Sequence, residues 1–232
     1  MSTPPGVEEH PLSLLLREGT REAHEQVERA ASFNRLIVVR IPVVDADSAP
    51  ARVSRERALE QYREIYRRFL IASYGFEAAV NDAIAGSPAR AAAIASGYAP
   101  EQHDPTELIR NDLREVFGPA ALAELRPMDG LPAAATLAGL AGVEYVRRGS
   151  RAGGAVIAAV VEFNLELTRE HGASFLAQYG KQTRAVLVAL REWLDSLPLT
   201  EPEAREAVAS AVATFGVVQR WHLRLEDALA KA

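Results

Sequence analysis

Apolar residues recur at helical spacing along almost the whole of this chain, and no other feature limits its possible folds so strongly. Leu15, Leu16, Ala23, Val27 and Ala30 keep that period near the amino terminus, and Ala58, Tyr62, Ile65, Tyr66, Phe69 and Leu70 keep it further on. Ala, Leu, Glu and Arg dominate and aromatic residues make up only 6%, a balance that favours helix over sheet. Residues 36–44, rich in Val and Ile but broken by Pro42, are the one strand-like stretch, and 45–53 read as a polar loop.

The punctuation divides the helical pattern. Ser13 is placed to cap a first helix over 13–32. A long helix over 54–84 ends at Gly86-Ser87-Pro88, and a short helix and a loop over 97–104 follow. Asp104-Pro105 opens a helix to Phe117, closed by Gly118-Pro119. After a turn at 127–132, residues 133–170 read as one long helix rich in Ala and Gly. A helix over 173–196, bent near Gly180, a turn at 198–202 and a helix from 203 onward complete the chain. The expectation is an all-α helical bundle, one domain over 1–232, with an irregular insert at about 36–53.

Several functions are disfavoured at once. With no Cys there is no disulfide framework, thiolate metal site, cysteine nucleophile, iron–sulfur cluster or Cys-anchored haem. A net charge of −5 argues against a nucleic-acid partner. The first ten residues lack the basic start and apolar core of a signal peptide. The longest apolar stretch, 152–161, is ten residues, far short of the ~20 that span a bilayer. A soluble, cytoplasmic protein without a membrane partner is expected, and any cofactor must be held by His, carboxylate or packing.

Arg17, Thr20, Arg21, His24 and Glu28 fall at i, i+3, i+4, i+7 and i+11, one stripe of the first helix. Glu28 lies one turn beyond His24, where its carboxylate can orient the imidazole, as a metal-ligating His requires. The two Arg precede His24, placed for anionic groups of a ligand. A solvated helix face with Arg/Glu pairs presents the same pattern, and spacing alone leaves both readings open.

A second helix is unusual in its glycines. Gly139, Gly142, Gly149, Gly153 and Gly154 sit inside a helical pattern, where each costs about 1 kcal/mol against Ala. Gly142, Gly149 and Gly153 share a face, which would let a flat object approach the backbone, and Ser150 with its Gly neighbours favours a kink. Close helix–helix packing through small residues is the alternative. Taken together, the two stripes suit a planar, metal-centred dianion clamped between them. Haem has that chemistry, since its iron takes a neutral imidazole and its propionates pair with Arg.

The remaining candidates carry less. His10 and His103 lie in polar segments, His171 falls at a helix end that favours a cation, and His222 beside Trp221 reads as a packed or surface residue. Glu60, Glu64 and Glu77 form no Glu-x-x-His set, which disfavours a di-iron bundle. Arg147, Arg148 and Arg151 are expected to face solvent, with an anionic electron donor as the alternative partner.

Residues 16–28, Leu-Arg-Glu-Gly-Thr-Arg-Glu-Ala-His-Glu-Gln-Val-Glu, resemble the first helix of haem oxygenases, and Tyr145-Val146-x-x-Gly149-Ser150-x-x-Gly153-Gly154 resembles the distal-helix motif of the bacterial, biliverdin-producing type. Weaker similarity at 57–80, 108–118 and 172–215 extends the resemblance over most of the chain. It implies a helical bundle with haem sandwiched between a proximal and a kinked distal helix. The implied activity is opening of haem to biliverdin, carbon monoxide and ferrous iron with dioxygen and an external electron donor, a reductase or ferredoxin. By the same resemblance His24 is the proximal iron ligand, and Glu28 is its hydrogen-bond partner. Thr20 and Tyr145 belong to the matched motifs, and Gly149, Ser150 and Gly153 form the distal site. Arg17, Arg21 and Arg191 are implied near the propionates, and Phe215 as an aromatic haem contact. The resemblance departs at Ser150, where mammalian members carry an Asp that organises distal water, so proton delivery stays unassigned. A haem-binding or haem-carrying protein of the same fold, without efficient cleavage, is the alternative. A cofactor-free relative acting on another small molecule ranks third.

Overall fold

The computed structural model describes residues 10–30, 36–39, 41, 49–101 and 104–230. Their regular structure is helical, as the periodicity predicts: α1 (Leu12–Gly19), α2 (Arg21–Ala30), α3 (Ala49–Ala85), α4 (Arg90–Ala95), α5 (Pro105–Phe117), α6 (Leu137–Ala152), α7 (Gly154–Leu165), α8 (Thr183–Ser196) and α9 (Glu201–Ala230). Short 3₁₀ turns occupy Pro119–Glu124 and Gly180–Gln182, and the described residues form no strand, only isolated bridges joining Thr168 to His171 and Gly172.

Local chemistry sets several helix ends. Asp104 caps α5, its side chain accepting from Thr106 N at 2.9 Å, with Pro105 in the first turn. Thr136 caps α6 by accepting from Gly139 N at 2.9 Å. Glu166 in the left-handed region, φ 54°, closes α7.

Several sequence expectations are corrected. Pro11, not Ser13, occupies the cap position of the first helix, and the Ser13 amide and hydroxyl instead bond the Asp195 carboxylate of α8 at 2.8 and 2.9 Å. The predicted 13–32 helix breaks at Thr20, whose hydroxyl donates to Leu16 O at 2.7 Å. Within the strand-like stretch, residues 36–38 form a helical turn. Asn164 then holds the next residues, its amide contacting Ile41 N at 3.0 Å and Val39 O at 2.7 Å. Residues 42–48 lie outside the described residues, and 49–53, read as loop, are already α3. The predicted 133–170 helix divides at Gly153, and 173–182 are turns ahead of α8.

α9 lies along α6 in the most extensive helix pairing, and also packs on α2, α1 and α3. An added Cβ at Gly142 would lie 2.3 Å from Ala207 O, so this glycine permits the close approach of α6 and α9. The buried apolar side chains form two clusters. One joins α1, α6, α8, α9 and one side of α3 around Leu16, Leu140 and Trp193, and the other joins α3, α5 and α7 around Tyr66, Leu113 and Ile157. Trp221 Nε1 donates to Ala72 O at 3.1 Å and fastens α9 to α3. No helix among the described residues is long and apolar enough to cross a membrane.

Candidate functional site

Where the two apolar clusters meet there is a cavity of about 340 Å³, bordered by Phe69 and Phe76 of α3, Val146 of α6, Ile157 of α7, and Phe215 and Val218 of α9. A volume of that order is usual for a small-molecule site. His24 and Glu28 of α2 border it, and so do Gly149 and Ser150 of α6 and Gly153 at the α6–α7 break. The two stripes singled out in the sequence therefore share one space. A second, more open lobe of about 300 Å³ shares His24, Gly149 and Phe215 with the first and adds Arg17, Tyr145 and Arg191.

The His24 side chain is 49% exposed, with Nδ1 3.7 Å from Glu28 Oε1. That is an ion-pair distance and exceeds a hydrogen bond, so the carboxylate biases the ring without fixing its tautomer. Phe215 stands edge-to-face against the imidazole, ring centroids 5.5 Å apart at 87°. No three His, Asp or Glu side chains among the described residues converge as a metal site. A lone imidazole beside an apolar cavity suits an ion whose other ligands come from a bound macrocycle.

On the α6 side, a Cβ added at Gly149 would meet nothing within 4 Å, and one at Gly153 would have only Ser150 O, at 3.6 Å. The glycine stripe thus divides its work: Gly142 packs on α9, whereas Gly149 and Gly153 leave open space. Ser150 Oγ donates to Arg147 O at 2.9 Å, a back-bond that loosens a helix, one turn before the break at Gly153.

Not every expected residue reaches the site. Thr20 is buried at the α1–α2 break with its hydroxyl occupied, and neither it nor the exposed Arg21 borders a lobe. Arg17, Tyr145 and Arg191 border the outer lobe only, and Arg191 is paired loosely with Asp195 at 3.7 Å. His10 and His171 are exposed, and His103 lies outside the described residues.

The three arginines of α6 overturn the expectation that they face solvent. Arg147, Arg148 and Arg151 are all buried. Arg147 Nε donates to Glu77 at 2.8 Å, Arg148 Nε to Glu144 at 2.8 Å, and Arg151 Nε to Glu77 at 3.1 Å. Burial alone would raise the Glu77 carboxyl, but Arg151 and Arg147 outweigh it and hold the group below the usual carboxylate range. Glu77, Arg151 and His222 all border the inner lobe, and sequence reasoning missed each of them. A signal existed: Phe69, Ser73, Phe76 and Glu77 share one face of α3, and Phe215, Val218 and His222 share one face of α9. Burial pushes the His222 imidazole down to about 4, so it is neutral near pH 7.

The haem oxygenase family profile matches residues 51–224 of this sequence. The chain belongs to the haem oxygenase family. The match begins beyond α2, so it covers α6 and most of α9 but not His24. No curated protein matches the sequence. Among solved structures, haem oxygenase-2 of Synechocystis in complex with haem and NO superimposes with a TM-score of 0.71 at 22% identity, covering 96% of this chain and 88% of that one. Haem oxygenase-1 of the same cyanobacterium, in complex with haem, gives 0.70 at 19% identity, with 96% and 95% covered. The haem oxygenase of Leptospira interrogans gives 0.68 at 20% identity, with 93% and 100% covered. At these identities the likeness establishes the family's all-α fold.

Proposed function

We propose that the cavity binds haem with His24 as the iron ligand, and that the protein opens the macrocycle to biliverdin, carbon monoxide and ferrous iron. Dioxygen and electrons from a reductase or ferredoxin complete the reaction. The observation that carries the proposal is that His24 and the unfilled backbone at Gly149 border one apolar cavity. Bound haem supplies the iron that activates dioxygen and the macrocycle that is cleaved. The chain supplies the rest. Glu28 and Phe215 restrain the imidazole, Arg17 and Arg191 offer cations to the propionates at the open lobe, and Gly149 and Gly153 keep a narrow space free of side chains. The aromatic and aliphatic walls exclude bulk water, which strengthens every polar contact inside.

Haem titration followed by turnover tests this reading. A His-ligated haem spectrum that His24→Ala abolishes, followed by biliverdin with ascorbate or a ferredoxin–reductase pair, is the expected result. Tight haem binding without turnover would replace it with the haem-carrying reading, and no Soret band would leave a cofactor-free relative.

A further inference from the structure

Glu77, Glu101 and Glu144 interlock with Arg147, Arg148 and Arg151 between α3, α6 and the segment before α5, and all but Glu101 are less than a tenth exposed. Burying so many charges is a weak way to gain stability, because desolvation offsets most of the attraction. Of the six, only Glu77 and Arg151 border the inner lobe. Arg151 spends four of its five N–H groups: Nε and Nη2 donate to Glu77, and Nη1 to Tyr179 Oη at 3.0 Å and Glu101 at 2.8 Å. The Glu77 carboxylate also keeps capacity. Its Oε2 accepts from both Arg147 and Arg151, whereas among the described residues Oε1 accepts only from Arg151 Nε. A carboxylate oxygen has room for two donors, so Oε1 keeps one acceptor position. Ser150, also on the lobe, uses its proton on Arg147 O and keeps an acceptor as well.

We propose that Glu77 is the fixed acceptor that anchors water in the cavity beside Gly149 and Ser150, so that the water serving the reaction is organised from α3. The inference rests on the haem reading. Glu77 is a positioning residue: flanked by two guanidinium groups it stays ionised, holds water by accepting, and does not itself give up a proton. Arg147 and Arg151 fix the carboxylate, and the Arg151–Tyr179–Glu101 contacts anchor Arg151 in turn. A buried water needs two to four polar partners, and Glu77 and Ser150, which border the same lobe, each keep an acceptor for it.

The test uses the haem-loaded protein and three variants: Glu77→Gln, Glu77→Asp, and Glu77→Gln combined with Ser150→Asp. Glu77→Asp keeps the charge that neutralises the arginines and withdraws the acceptor by one methylene, so it serves even if Glu77→Gln fails to fold. The first readout is the pH of the acid–alkaline transition in the ferric absorption spectrum. A fixed anion accepting from water beside the iron favours the protonated form, so Glu77→Gln is expected to move the transition down by at least half a pH unit. The second is turnover: kcat should fall about tenfold in Glu77→Gln, several-fold in Glu77→Asp, with KM for haem unchanged. A carboxylate introduced at Ser150 borders the same lobe and should restore part of both. Wild-type transition pH and kcat in the folded Glu77 variants would overturn this inference alone. Failure of the unmutated protein to load haem would overturn the haem reading, and this inference with it.

Discussion

The imidazole of His24 and the ring of Phe215 meet edge-to-face, centroids 5.5 Å apart and planes at 87°. Such a pair contributes about 0.5–1.5 kcal/mol beyond burial, and here it restrains a half-exposed ring that Glu28 only approaches. Phe215→Leu, which keeps apolar volume, should therefore weaken haem binding about three- to tenfold while preserving the Soret band. His24→Ala should remove His ligation and lower the stability of the haem-free protein by no more than about 1.5 kcal/mol, the worth of the lost ring contact. Haem titration by absorbance and urea unfolding measure the two effects.

Gly142 and Gly149 lie on the same helix and should respond oppositely to Ala. At Gly142 the added Cβ would stand 2.3 Å from Ala207 O, and forcing α6 from α9 should cost about 1–3 kcal/mol. At Gly149 the Cβ meets nothing within 4 Å, so helix propensity should stabilise the haem-free protein by up to about 1 kcal/mol. Gly149→Leu should load haem and degrade it more slowly than Ser150→Ala in single turnover. Wild-type cleavage by both Gly149→Leu and Gly153→Leu would sink the distal assignment.

His222 makes stability pH-dependent. Its imidazole falls from 6.5 in the unfolded chain to about 4 when buried, so between those values the unfolded chain binds a proton that the folded chain does not. This contribution is complete above pH 6.5 and is lost as pH falls, at about 1.4 kcal/mol per pH unit, until about pH 4. His222→Phe should flatten that slope in urea unfolding measured from pH 7 to 4.5. Glu77 is also lowered, but its contribution fades only below the ordinary carboxylate value of 4.5, outside this window.

Arg17 and Arg191 border the outer lobe, and Arg191 is 73% exposed with only a long contact to Asp195. Arg17→Glu with Arg191→Glu should weaken haem binding, more at low ionic strength than at high, since exposed charges are screened by salt. Arg21→Glu, on a residue that borders neither lobe, should have little effect. Equal losses in both variants would assign the propionate contact to the general charge of the first two helices.

The sequence by itself determined the helical architecture and the two faces that meet in the cavity. Helix periodicity, the Asp104-Pro105 cap, the His24–Glu28 spacing and the Gly149–Gly153 spacing are all relations within a few residues, which local backbone geometry fixes. Only the tertiary structure decided which members of those stripes reach the cavity. Thr20 turns its hydroxyl back to Leu16, and Gly142 serves helix packing instead of a ligand. Arg147 and Arg151 read as solvated because a buried guanidinium is unfavourable unless paired, and their partner Glu77 lies 70 and 74 positions away. Glu77 and His222 each look, on their own helices, like isolated ionisable residues on a mostly apolar face. Whether such a residue is a surface group, a core group or part of a site depends on what α3, α6 and α9 place opposite it, and that long-range packing has no counterpart in local spacing.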